Sequence, residues 1–475
     1  MTERTLYWYD YESFGLDPRR HRVAQFAGLR TNEALEPLGE PLVLYCQPSD
    51  DFLPSPESCR ITRITPQLAQ QRGVNEAEFI RQIHQEFSRA NTCVVGFNSI
   101  RFDDELTRQL LYRNFYDPYE REYKSGNSRW DIIDMLRLCA AIRPQGIQWP
   151  RNEDGQVTFR LEALTSANDI SHADAHDALA DVQATIAMAR LVKQHQPRLY
   201  DYVYGLRSKT QVEAQLDTVS RKPVLHVSSR YPAEQGCLAL VAPLCRHPVD
   251  SNGVIVYDLR QDPTTWLSLP VEEIQRRVFG RQSDLPAGTG RIALKVLHSN
   301  RCPVVAPAAT LEPALAERFD IDLDAVQQHW QLLKSNRDVA GILAQVFKQQ
   351  PQTPETDPDY MIYSGGFFGD ADRKFMAVVR GSNAEQLASL NIPFKDSRLQ
   401  EMLFRYRARN YPESLDQEDT QRWQQFRQAR LARPQALADF NHDMAEARQR
   451  CRDAQDSAVL DELQAYVDSL LGALE

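Results

Sequence analysis

The chain has 475 residues, 42% of them hydrophobic and 25% charged. That balance excludes a fibrous or globally disordered protein, and no run of about 18 apolar residues offers a membrane span. With 55 Lys+Arg against 65 Asp+Glu, the net charge of −10 argues against a protein that binds nucleic acid through its global charge, while leaving room for a local basic groove.

At about 150 residues per domain, the length predicts roughly three domains. Met1-Thr2-Glu3-Arg4 leads into a strand-like stretch without an apolar signal region, and the eight cysteines show neither a Cys-x-x-Cys pair nor zinc spacing. The expectation is a cytoplasmic protein with reduced thiols.

In chain order, residues 6–9 open an aromatic-rich strand, and 23–30 and 41–46 continue in hairpin order. A helix is predicted over 79–89, a short buried strand over 92–97 and a helix over 104–114. Asp134 reads as the N-cap of a helix over 135–142. A long helix over 178–193 carries Leu179, Val182, Ile186 and Ala189 on one stripe. Strands alternating with helices imply an α/β domain, a mixed sheet flanked by helices, over 1–196. Over 197–350, short β-rich stretches at 223–227, 237–242, 253–258, 292–296 and 304–305 alternate with turn residues and suggest a small barrel or sandwich. Residues 351–359 read as a Pro-rich linker, and 360–475 as an all-helical domain.

Three pieces carry chemistry. In Asp10-Tyr11-Glu12 the two acids share one face of a strand, while Tyr9 and Tyr11 point the other way. Paired carboxylates are costly unless a positive group joins them, and a divalent cation suits their oxygens. Asp103-Asp104-Glu105 opens a helix, where its dipole alone would explain the acids. His176 precedes Asp181 by five positions, and Asp181 sits beside the apolar stripe of its helix. Singly, each piece has an ordinary explanation as a solvated strand end, helix terminus or loop. Together, Asp10, Glu12, Asp103, Asp181 and His176 fit phosphodiester hydrolysis, in which two cations about 4 Å apart clamp the reacting oxygens and a base takes a proton from water. An imidazole titrating near 6.5 suits that base. Asp104 competes with Asp103 for its place, and His172 is set aside because it lacks the five-residue offset from an acid.

The pattern Asp10-x-Glu12, Asn98-x-x-x-Phe102-Asp103 and His176-x-x-x-x-Asp181 resembles the DEDD exonuclease superfamily in its His-type branch; position 177 is Asp where the Tyr-type branch carries Tyr. Longer wordings are similar to the bacterial exodeoxyribonuclease I family along the whole chain. They include Asp10-Tyr11-Glu12-Ser13-Phe14-Gly15, Tyr112-Arg113-Asn114-Phe115-Tyr116-Asp117-Pro118-Tyr119, Asn127-Ser128-Arg129-Trp130-Asp131, Arg301-Cys302-Pro303-Val304 and Tyr406-Arg407-Ala408-Arg409-Asn410.

That resemblance implies a ribonuclease-H-like exonuclease domain, an SH3-like barrel and a helical C-terminal domain. It also implies a monomeric, processive 3′→5′ hydrolase of single-stranded DNA that releases 5′-mononucleotides in repair and recombination. By the same resemblance Asp10, Glu12 and Asp181 hold two Mg²⁺ ions, with Mn²⁺ able to substitute. Asp103 completes the catalytic set and His176 acts as general base. Glu12, His176, Arg160, Arg108, Tyr119, Tyr123 and Arg137 contact the strand, with Tyr123 standing where relatives carry Trp. Arg143, Tyr202 and Lys334 match a site for the acidic C-terminal tail of single-stranded-DNA-binding protein, although Leu311-Glu312-Pro313 puts an acid where relatives carry Arg. The stretch 395–409 has five basic residues against two acids and is expected to wall the DNA groove. Competing readings are an exoribonuclease of the same superfamily and a non-catalytic single-strand-binding scaffold.

Overall fold

A computed structural model describes residues 3–172, 177–348 and 355–474. The chain forms two compact units, one of Met1–Ser128, His172–Ile186 and Thr353–Glu475, the other of Arg129–Ser171 and Ala187–Gln352.

In the first unit, β1 (Thr5–Ser13) pairs antiparallel with β2 (Val23–Thr31), which pairs antiparallel with β3 (Leu42–Tyr45). β4 (Thr92–Gly96) runs parallel to β1, so the sheet is mixed, as expected. Tyr7, Tyr9 and Tyr11 alternate onto one face of β1 and pack with Phe26, Phe79, Phe87, Leu106 and Leu110. The period of two therefore commits Asp10 and Glu12 to the opposite face. The helix Glu76–Phe87 starts three residues before the expected 79, because the Asn75 side chain accepts from the Glu78 N–H and caps it there. Gly96 ends β4 where a Cβ would lie 2.5 Å from that of Ser99, and Asn98 turns the chain in the left-handed region at φ 58°. The helix Asp103–Arg113 follows directly.

The C-terminal helices complete this unit. Phe440, Met444, Leu460 and Leu463 cover Phe14, Phe52 and Cys59, while Leu399, Met402 and Tyr406 pack with Tyr112 and Phe115. The arginines expected to wall a groove over 395–409 are engaged with acids of the fold. Arg405 bonds Asp357, Asp359 and Glu401; Arg409 bonds Asp51 and Asp359; Arg398 bonds Asp396; Arg407 bonds Asp419. Arg398, Arg405 and Arg409 are buried, so their charge is used within the fold. Asp357 and Asp359, at the end of the predicted linker, are partners in this network, while 351–354 lie outside the described residues.

β5 (Ser128–Asp131), which starts on the last residue of the first stretch of the first unit, leads into the helix Ile133–Ile142 of the second unit. This helix begins earlier than expected. Asp131, not Asp134, accepts the Ile133 N–H at 3.0 Å, and Asp134 instead pairs with Arg137. β6 (Val224–Val227), β7 (Leu238–Arg246), β8 (Gly253–Asp258), β9 (Leu294–His298) and β10 (Val305–Pro307) form an antiparallel sheet in the order β10-β6-β7-β8-β9. Its core is almost entirely aliphatic: Val224, Val241, Val254, Val256, Leu297 and Val305. Among the described residues, no helix is long and apolar enough to cross a membrane.

Candidate active site

β1 delivers two acids, with Asp10 opposite Ala27 and Glu12 opposite Gln25 on β2. The third comes from the helix Ala178–His195, whose first turn is tied to the sheet. Asp177 accepts the N–H groups of Leu179 and Ala180 at 3.1 and 3.2 Å. The buried Gln25 amide spans the junction. Its Nε2 donates to Asp177 Oδ2 at 3.2 Å, and its Oε1 accepts from the Ala178 N–H at 3.3 Å. The helix therefore begins beside the strand position that faces Glu12, and Asp181 follows one turn later. One carboxylate oxygen each from Asp10, Glu12 and Asp181 lie within 4.8 Å of one another.

Crowding so much negative charge is expensive. Burial, then repulsion from Asp103, Glu12 and Asp181, pushes the Asp10 carboxyl well above the usual carboxylate range. Burial, then Asp181, Asp103 and Asp177, does the same to Glu12. A divalent cation offsets the repulsion, and an all-carboxylate donor set suits a hard one. The residues present thus fit a divalent metal.

Asp103 and Asp104, adjacent in sequence, act on different partners. Asp104 accepts from the Tyr9 hydroxyl at 3.0 Å and from Arg121 Nη2 at 2.6 Å, on the aromatic face of β1. Asp103 is buried, and its charge acts on both Asp10 and Glu12. Asp103 therefore acts on the acid cluster, and Asp104 forms a structural ion pair.

His176 lies outside the described residues. His172, which sequence reasoning set aside, is a buried ring whose Nε2 stands 2.5 Å from Asp181 Oδ1. The five-residue offset could not find it, because His172 stands nine positions before Asp181. Its sequence signal is a second His shortly before a His-x-x-x-x-Asp motif.

The expected strand-contacting residues fare differently. Tyr123 is 66% exposed and offers a free ring face. Tyr119 lines a cavity of about 240 Å³ with Tyr112, Phe367, Phe368, Arg373 and Arg380. Arg108 is buried, held by Glu122 at 2.8 Å, and lies 5.4 Å over the Tyr119 ring. In the second unit Arg160 is exposed at the start of the helix Leu161–Ala167, and Arg137 is paired with Asp134 and lies over Phe159. Of the expected tail-binding residues, Arg143 faces Glu312 at 3.4 Å, the Tyr202 hydroxyl donates to the Val305 carbonyl, and Lys334 lies over the Trp330 ring.

A family model described as "Exonuclease" matches residues 7–189, the stretch that carries all four acids. Sheet, acid cluster and model together define a divalent-metal-dependent exonuclease. The models of the exonuclease I SH3-like domain and the exonuclease I C-terminal domain match 207–349 and 356–470. The exodeoxyribonuclease I of Escherichia coli K12 is 42% identical over 99% of this chain and 98% of its own. That of Haemophilus influenzae is 42% identical over 90% of each. Among solved structures, an exonuclease I from Methylocaldum szegediense superposes with a TM-score of 0.93 at 49% identity, covering 98% of this chain and 99% of its own. The Escherichia coli enzyme in complex with a dA16 oligonucleotide gives 0.95 at 42% identity, covering 98% and 100%. The chain belongs to the exodeoxyribonuclease I family.

Proposed function

We propose that this protein is a Mg²⁺-dependent, processive exonuclease that digests single-stranded DNA from the 3′ end and releases 5′-mononucleotides. The observation that carries this reading is the convergence of Asp10, Glu12 and Asp181, with Asp103 beside them, in a chain similar over its full length to an enzyme crystallised with oligodeoxynucleotides.

Asp10, Glu12 and Asp181 would hold the two cations, with Mn²⁺ as a substitute. When bound, these supply charge for the attacking and leaving oxygens of the phosphodiester. Asp103 adds negative charge that deepens the cation site. His176 takes the proton from the attacking water, and Arg160 engages a phosphate near the scissile bond. Tyr123 and the Tyr119 cavity supply ring faces on which successive bases stack, a sequence-tolerant contact. Arg108 orients Tyr119 rather than meeting phosphate directly, because Glu122 already takes its charge.

The enzyme acts as a monomer in the cytoplasm, in keeping with eight cysteines that form no disulfide. Arg143 and Tyr202 belong to a surface for the acidic tail of single-stranded-DNA-binding protein, with Lys334 adding charge; Glu312 competes for Arg143 and weakens that capture.

A ladder assay on 5′-labelled single-stranded DNA, run beside matched RNA and with or without chelator, tests the core of this reading. Stepwise shortening of the DNA alone, abolished by chelator, is expected. Preferential loss of RNA, or cleavage that survives metal removal, would overturn it.

A further inference from the structure

The ring of His172 has no place in the chemistry described so far, yet it is buried against one of the three clustered carboxylates. Its Nε2 stands 2.5 Å from Asp181 Oδ1. An ionised carboxylate only accepts hydrogen bonds, so at this distance the proton sits on Nε2. The bond fixes the plane of a carboxylate whose terminal torsion is otherwise broad and nearly two-fold. The same carboxylate offers an oxygen to the cluster with Asp10 and Glu12.

We propose that His172 is a positioning residue for the metal site: it holds the Asp181 carboxylate in the orientation that binds the catalytic cation. The proposal rests on the reading of Asp181 as a metal ligand. The two supports of Asp181 are complementary. Gln25 and Asp177 fix where its helix begins, which sets the position of the backbone. His172 fixes how the side chain is turned. Outer partners of this kind typically change metal affinity by about 10–100-fold when removed. His172 does not replace His176 as base, because its proton-bearing nitrogen is committed to the carboxylate.

The test uses the full-length enzyme and Mn²⁺ as the probe. Mn²⁺ affinity is measured directly by electron paramagnetic resonance, and the Mn²⁺ concentration for half-maximal digestion is measured alongside. His172→Ala should weaken both by about 10–100-fold. Turnover at saturating Mn²⁺ should stay within a few-fold of the unaltered enzyme. His172→Gln, whose amide N–H can reach the same oxygen, should recover most of the affinity, and it keeps the test open if the alanine variant folds poorly. Unchanged Mn²⁺ affinity in both variants overturns the proposal. So does a fall in turnover at saturating metal with affinity intact, which would make His172 a participant in proton transfer. Asp181→Asn separates the underlying reading: if that variant keeps Mn²⁺ binding and activity, Asp181 is no ligand. If it loses them while His172→Ala changes nothing, only the positioning role fails.

Discussion

Asp103 and Asp104 are neighbours with the same side chain, and the structure predicts that neutralising them has opposite consequences. Asp104 is 2% exposed and accepts from Arg121, whose side chain is 1% exposed. Arg121 Nε and Nη1 have no hydrogen-bond partner among the described residues, so Asp104 is the anion that holds this guanidinium in the core. Removing one member of a buried pair costs about 3–5 kcal/mol, because the other charge stays buried and uncompensated. At about 2–4 °C per kcal/mol, Asp104→Ala should lower the first unfolding transition by about 6–20 °C. At a temperature where the variant is folded, its turnover should be largely retained. Asp103→Asn should do the reverse. It removes repulsion on Asp10 and Glu12, so the metal-free protein should be no less stable. It also weakens the cation site, and losing a few kcal/mol of transition-state stabilisation lowers turnover by roughly 10²-fold or more. Scanning calorimetry of metal-free protein and a single-strand digestion assay measure the two effects. If Asp103→Asn unfolds early and Asp104→Ala is inactive though folded, the assignment of the two acids is reversed.

The raised Asp10 and Glu12 carboxyls make stability depend on pH. Groups whose folded pKa lies above the unfolded value stabilise the fold while protonated, fully so below about pH 4, and that contribution is lost as pH rises through the folded pKa. Metal-free enzyme should therefore lose stability from about pH 4 toward neutrality relative to Asp10→Asn, and added Mn²⁺ should close the gap; parallel thermal-unfolding curves for the two proteins would refute this. Arg409→Met should destabilise the fold by about 3–5 kcal/mol, because buried Asp51 and Asp359 lose a shared partner, while single-strand affinity of the folded protein holds. A loss of affinity at unchanged melting temperature would return Arg409 to a DNA groove. Glu312→Arg should tighten binding of an acidic C-terminal tail peptide by freeing Arg143 and adding a cation. Fluorescence anisotropy reading an unchanged affinity would remove this surface from the partner site.

What could be read from the sequence was what backbone periodicity decides. Asp10 and Glu12 share a face because strand side chains alternate, and Tyr7, Tyr9 and Tyr11 must then fill the core on the other side. The bounds of β8 and the start of the Ala178–His195 helix follow from runs of local preference. Partners distant along the chain were not legible. Which of Asp103 and Asp104 faces the acid cluster is decided by the Tyr9 hydroxyl and by Arg121, 95 and 17 residues away. A count of basic residues over 395–409 predicted a groove, because the acids that take those charges lie elsewhere: Asp51 is 358 residues from Arg409.

The same reasoning explains why an acidic chain can work on a polyanion. Arginines near the C-terminus are consumed in internal pairs, and Arg108 and Arg137 are already matched by Glu122 and Asp134. Exposed side chains such as Arg160 and cations gathered at the acid cluster can then supply positive charge for a phosphate. The net charge of −10 is therefore no obstacle. A site that imports its positive charge as metal needs carboxylates held close against their own repulsion, and the fold meets that need with a sheet, a tethered helix and the ring of His172.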